Sequence, residues 1–147
     1  MKKIVEASEK TIDSLTKLAI DLWPDNEYED LKNEYFSLLK SENHKVFLCI
    51  VDDLPIAFIQ LSIRSDYVEG SESNPVGYVE GIFVNPNLRR QGISKELMIK
   101  GEEWVKEKGC KQIGSDIEYD NDTSYHFHMN IGFKEANRII CFIKDIE

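Results

Sequence analysis

The order of apolar patterns predicts an α/β chain in which a mixed sheet is covered by helices. Three observations carry this. Ile12, Leu15, Leu18, Ala19 and Leu22 recur at the 3.6-residue period of a helix. Three β-rich runs between Val46 and Val84 are separated by turn residues, as in an antiparallel meander. A later strand–helix–strand succession requires a parallel pair, because that connection crosses over.

Each element has its own signal. Lys3 to Ala7 reads as a first strand. Ser8 or Thr11 caps the first helix, and Pro24 stops it. A second helix runs from about Tyr28 to Leu39, with Leu31, Tyr35, Phe36, Leu38 and Leu39 inward. Val46 to Val51 and Ile56 to Ile63 form a hairpin around Asp52-Asp53-Leu54-Pro55. Arg64 to Pro75 is a polar loop, and Gly77 to Val84 is a strand that Pro86 ends. A helix to about Lys108 turns Ile93, Leu97, Gly101, Trp104 and Val105 inward. Gln112 to Asp116 is a short strand. Asp122 or Thr123 caps a helix that Gly132 closes, and Arg138 to Ile143 is the last strand.

The chain has 147 residues, 41% apolar and 31% charged, which fits one globular domain spanning residues 1–147. A net charge of −9 argues against nucleic acid as a partner. No apolar run approaches the ~20 residues of a membrane span, and the polar start from Met1 to Lys10 does not read as a secretory signal. Cys49, Cys110 and Cys141 lack metal-ligand spacing and fit free thiols in a reducing cytoplasm; no metal is expected. The acids are clustered. Asp21 to Glu34, Asp66 to Glu80 and Asp116 to Asp122 hold 14 of the 27 acids and one base, Lys32. These segments are either solvated loops or, if the fold gathers them, a site for a cationic ligand.

Arg89-Arg90-Gln91-Gly92-Ile93-Ser94-Lys95 follows a strand and opens a helix. Unpaired backbone N–H groups and the positive end of the helix dipole gather at such a junction, and Gly92 permits close approach of a bulky ligand. The loop suits a phosphate or pyrophosphate, or is simply a helix start with two exposed arginines. It matches neither the Walker pattern nor the dinucleotide fingerprint.

This stretch, preceded by Gly81-Ile82-Phe83-Val84-Asn85-Pro86, resembles motif A of the GNAT N-acetyltransferases, with Ser94 where Gly or Ala is usual. Asn121 through Gly132-Phe133 resembles motif B, with Ser124 and His128 replacing an Ala and a Tyr. Trp23, Ile63-Arg64, Tyr67-Val68, Gly70, Pro75-Val76-Gly77, Glu80-Gly81-Ile82, Ser115-Asp116 and Asp120-Asn121 narrow the resemblance to the aminoglycoside 6'-N-acetyltransferases. The resemblance implies the GNAT fold: a mixed, mostly antiparallel sheet with a parallel splayed strand pair, flanked by helices. It implies acetyl-CoA as cosubstrate, held by Ile82, Phe83, Val84, Arg89 to Lys95 and Asn121. It implies a homodimer, for which the apolar run Ile139 to Phe142 offers a pairing strand.

The implied reaction is attack of an amine on a thioester. A carboxylate beside a cationic amine binds it and accepts its proton, directly or through water. Glu80 lies amid Val79, Ile82 and Phe83, so it needs a partner, either an ion pair or a substrate. Asp116 ends the adjacent strand and is the second such carboxylate, or else a turn residue. By the resemblance, backbone N–H groups at about Ile82 to Val84 provide the donor for the developing oxyanion. His128 stands where the family places the general acid for the leaving thiolate, and imidazole chemistry suits that role, as it also suits packing of its helix. Trp23 and Tyr67 stack on a sugar-based polycation or pack the core. Asn26, Glu135 and Asn137 fall at positions where relatives present polar substrate contacts. The rival readings are acetylation of another cation such as a polyamine, and an acyl-CoA-binding domain without catalysis.

Overall fold

The computed structural model describes all 147 residues. They form two compact units, Met1–Ser115 and Asp116–Glu147.

In the first unit five strands, β1 (Lys2–Glu6), β2 (His44–Val51), β3 (Leu54–Arg64), β4 (Val76–Val84) and β5 (Ile113–Gly114), lie side by side in chain order. The first three pairings are antiparallel and β4–β5 is parallel. The β2–β3 hairpin is tighter than expected: Val51 pairs with Leu54, so Asp52 and Asp53 alone make the turn. Both have positive φ, 49° and 66°, as a two-residue turn matched to strand twist demands, and Asp tolerates that conformation.

Two helices cover one face. α1 (Ile12–Leu22) follows a short 3₁₀ turn in which the Ser8 N–H donates to Thr11 Oγ1 at 2.9 Å. α2 is Tyr28–Leu38. Leu15, Ala19, Leu31 and Tyr35 pack with Val46, Leu48 and Phe58. Phe36 does not join them: it is exposed, and Lys40 lies 4.1 Å from its ring centre. The Leu31–Tyr35 stripe already fills the contact with the sheet, which leaves Phe36 on the outer flank. α3 (Ile93–Glu107) covers the other face, with Gly101 against Leu61 and Ile59. Phe58 therefore points to α1 and α2 while Ile59 and Leu61 point to α3, and β3 is buried on both sides.

The second unit contains α4 (Asp122–Asn130) and a C-terminal arm. The Asn121 side chain, not Asp122 or Thr123, caps α4 by accepting from the Ser124 N–H at 3.1 Å. The expected strand from Arg138 to Ile143 is absent. Ile139, Ile140, Phe142 and Ile143 are exposed. The β-prone pattern is real, but a strand exists only where another backbone completes its hydrogen bonds, and the single chain provides none. β5 is likewise shorter than Gln112 to Asp116, and Asp116 lies beyond its end.

Candidate active site

The register between β3 and β4 slips once. Gln60 pairs with Gly81 and Leu61 with Val79, so Glu80 is an extra residue in a β-bulge. The bulge places two consecutive residues on the same face. Glu80 lines a cleft with Trp23, and a Cβ on Gly81 would come within 2.5 Å of the Trp23 ring. Only glycine lets that indole lie against the strand. Trp23 also meets Phe58 edge to face at 6.0 Å, so its position is fixed by packing.

The cleft holds about 330 Å³ and is lined by Trp23, Asn26, Leu31, Glu34, Tyr35, Leu38, Gln60 and Glu80. Two acids thus meet an aromatic face, an arrangement that suits an amine-bearing ligand. Burial pushes the Tyr35 phenol far up, so it stays protonated and donates to Gln60 Oε1 at 2.7 Å. Lys32 is turned aside: its Nζ lies 2.9 Å from Asp13 Oδ1, which also accepts from the Tyr28 hydroxyl at 2.7 Å. Asn26 donates to the Trp23 carbonyl at 3.1 Å, closing the turn after α1.

Glu80 is ion-paired. It accepts from the Ser62 hydroxyl and from the Arg64 guanidinium, whose Nη2 is 2.9 Å from both carboxylate oxygens. Tyr67 is exposed on the loop between β3 and β4, beside a separate hollow lined by Asp66, Ser71, Glu72, Ser73 and Asn74. Gln112 accepts from the Glu72 N–H at 2.7 Å and from the Ser73 hydroxyl at 3.0 Å, which orders that loop.

β4 and β5 pair only at Gly77–Ile113 and Tyr78–Gly114, where β5 ends. Past Tyr78, the edge of β4 away from β3 has no strand partner; the Asn85 N–H bonds across to the Ile56 carbonyl, so by strand alternation the Phe83 N–H also faces β3 while the Ile82 and Val84 N–H groups face the unpaired edge. The loop after β4 curls through two left-handed residues, Arg90 at φ 66° and Gly92 at φ 77°. Glu96 N–H makes the first bond of α3, to the Gly92 carbonyl at 3.0 Å. The N–H groups of Ile93, Ser94 and Lys95 therefore have no partner within the helix, the arrangement that receives an anion. A Cβ on Gly92 would meet no atom within 4 Å, so the space beside it is open. Arg89 is folded back, its Nε donating to the Val84 carbonyl at 2.9 Å and its guanidinium 5.6 Å from the Phe83 ring centre. It fastens the loop to β4; Arg89, Arg90 and Gln91 are all exposed.

In the second unit, His128 Nδ1–H donates to the Ser124 carbonyl at 2.7 Å, and its ring meets Phe127 and Phe133 edge-on. Any proton it delivers must pass through Nε2. Glu135 is bonded to Arg138 at 2.8 Å, and that guanidinium holds its carboxyl below the usual range. Asn137 Oδ1 accepts from the Arg138 N–H at 2.8 Å. Asp116 is exposed at the start of the unit.

The structure thus gathers Trp23, Asn26 and Glu80 in one cleft and sets Tyr67 at another hollow. Glu34, Gln60 and Ser62 were not singled out from the sequence, and Tyr35 and Arg64 were named only as an inward helix position and as part of the resemblance, not as site residues. A signal for three of them was present, since Gln60, Ser62 and Arg64 are polar at alternating positions of an otherwise apolar strand.

Comparison with known proteins agrees with this arrangement. Residues 10–133 match the model of the acetyltransferase (GNAT) family. The aminoglycoside N(6')-acetyltransferase type 1 of Acinetobacter haemolyticus is 36% identical, covering 98% of this chain and 99% of that protein. The protein of the same name from Serratia marcescens is 34% identical, covering 97% and 99%. Among solved structures, AAC(6')-Iy with the bisubstrate analogue CoA-S-monomethyl-acetylneamine superposes with a TM-score of 0.96 at 31% identity, covering 99% of each chain. Aminoglycoside 6'-N-acetyltransferase AAC(6')-Ih from Acinetobacter baumannii gives 0.94 at 34% identity, covering 100% of each. A five-stranded sheet whose parallel pairing ends at Tyr78, a bulged β4 and a glycine loop opening α3 are thus joined to near-full-length similarity, and the chain belongs to the acetyltransferase (GNAT) family.

Proposed function

We propose that this protein transfers the acetyl group of acetyl-CoA to the 6'-amine of aminoglycoside antibiotics and thereby confers resistance to them. The observation that carries the reading is the cleft lined by Trp23, Glu34 and Glu80, on a β4 strand that has no second partner past Tyr78. The amine nitrogen attacks the thioester carbonyl carbon, the C–S bond breaks, the amine gives up a proton and the thiolate takes one. Glu80 and Trp23 hold the amine-bearing ring, with Asn26 at the rim and Tyr67 on the neighbouring loop. An N–H group of this stretch that points away from β3, at Ile82 or Val84, stabilises the developing oxyanion. The loop Arg89 to Lys95 receives the pyrophosphate, with Gly92 giving clearance and Arg89 holding the loop in place. By the resemblance, His128 protonates the thiolate, Asn121 contributes to cofactor binding, and Asp116, Glu135 and Asn137 contribute to the substrate side. The family match from residue 10 to residue 133 runs through both units and supports reading them as one catalytic domain. Three free cysteines fit a cytoplasmic setting.

Release of CoA thiol should be followed with a panel of 6'-amino aminoglycosides, their 6'-hydroxy counterparts and spermidine. Turnover confined to the 6'-amino compounds is expected. Their KM should rise several-fold between low and physiological salt, because the cleft attracts a polycation through its acids, while the KM for acetyl-CoA does not rise in parallel. Preference for spermidine would reassign the acceptor.

The exposed apolar arm supports a homodimer in which residues 138–143 complete their backbone hydrogen bonds on a second copy. Sedimentation equilibrium should give twice the chain mass. Removal of the chain after Glu135 should yield a monomer, and an intact protein that is already monomeric rejects the assignment.

A further inference from the structure

Glu80 does not meet the cleft as a bare carboxylate. Its Oε2 accepts from the Ser62 hydroxyl, from Arg64 Nε at 3.2 Å and from Arg64 Nη2 at 2.9 Å. Its Oε1 accepts from that same Nη2, also at 2.9 Å. A carboxylate oxygen has two lone-pair sites, so Oε2 is saturated while Oε1 retains one for a further donor. Arg64 is itself clamped, with its guanidinium 3.5 Å from the Tyr78 ring centre. Both partners are only partly exposed, 40% for the Arg64 side chain and 27% for Glu80.

We propose that Arg64 is a positioning residue for the amine. Pinned between Tyr78 and Glu80, it fixes the carboxylate so that Oε1 is the atom presented to the ammonium group, and it holds the charge of this corner of the cleft near zero. The inference rests on the reading of the cleft as the amine site. It makes the two residues a unit whose substitutions do not add. Loss of Arg64 leaves the carboxylate held only at Oε2 by the Ser62 hydroxyl, so Oε1 is no longer fixed and the amine loses its aim at the thioester. Loss of the Glu80 charge leaves an uncompensated guanidinium facing a cationic substrate. Loss of both leaves a neutral corner.

The test is a double-mutant cycle on the full-length enzyme with neamine as acceptor. Arg64→Met should lower kcat/KM for neamine about tenfold in the wild-type background, with the KM for acetyl-CoA unchanged. In the Glu80→Gln background the same substitution should cost nothing or restore activity, because it removes the repelling charge. A residue that merely supports the fold would lose activity in both backgrounds. A further loss beyond about twofold in the Glu80→Gln background, no loss in the wild type, or a parallel rise in the KM for acetyl-CoA overturns the proposal. Should Arg64→Met fail to fold, Arg64→Lys serves, since it keeps the charge but not the paired nitrogens. A smaller loss in the wild-type background and none beside Glu80→Gln is then expected, and equal losses again overturn it. If the wild type turns over spermidine rather than neamine, the proposed acceptor fails while the same cycle run with spermidine still judges Arg64.

Discussion

Glu80→Gln should lower kcat/KM for a 6'-amino aminoglycoside by about 100-fold, while acetyl-CoA binds as before. Two effects act together. The amide provides no charge for the ammonium group, and Arg64, whose Nη2 lies 2.9 Å from both carboxylate oxygens, is left as an unmatched cation at the cleft. The division between kcat and KM assigns the role. A rise in KM alone means that Glu80 holds the amine and that water takes the proton. A fall in kcat that shrinks at high pH, where free amine is abundant, means that Glu80 accepts the proton. Asp116→Asn is read in the same way. Near-wild-type kcat/KM at neutral pH in both variants would remove both carboxylates from the mechanism.

Gly92→Val should weaken acetyl-CoA binding about tenfold or more. Gly92 has φ 77°, a conformation that a β-branched residue adopts only under strain, and the space beside it is open. The valine side chain would occupy that space and shift the first turn of α3, whose N–H groups of Ile93, Ser94 and Lys95 are offered to the anion. Titration calorimetry with acetyl-CoA measures the effect, and circular dichroism shows whether the variant is folded. Unchanged affinity in a folded variant would place the pyrophosphate elsewhere.

The sheet and its helices were legible because their signals are local. The spacing of Ile12, Leu15, Leu18 and Ala19 marks one helix face, and the acidic hairpin turn needs residues that tolerate positive φ. The glycine loop at Gly92 was legible for the same reason. Features that depend on a distant partner were not. Arg138 to Ile143 has the composition of a strand, but composition cannot say whether another backbone is present to pair with it. Phe36 sits at an inward spacing on α2, yet Leu31 and Tyr35 fill the contact and leave it outside. Glu80 was recognisable as a carboxylate in need of a partner, with an ion pair and a substrate both open. The structure gives it Arg64, which lies just outside the acidic stretch from Asp66 to Glu80 and so escaped a count of charges within it. A charge tally along the chain cannot see a neutralisation that occurs across two strands.

The bulge at residue 80 sets stability against activity at a single codon. Because Leu61 pairs with Val79 and Gln60 with Gly81, an in-frame loss of Glu80 would bring the two strands into uninterrupted register. The shortened protein would have a more regular ladder and would lose the strand-borne carboxylate of its cleft, leaving only Glu34 on α2. Sequence libraries screened only for heat resistance would therefore drift toward healed, inactive variants at this position, and engineering of a more robust enzyme has to hold the length of β4 constant.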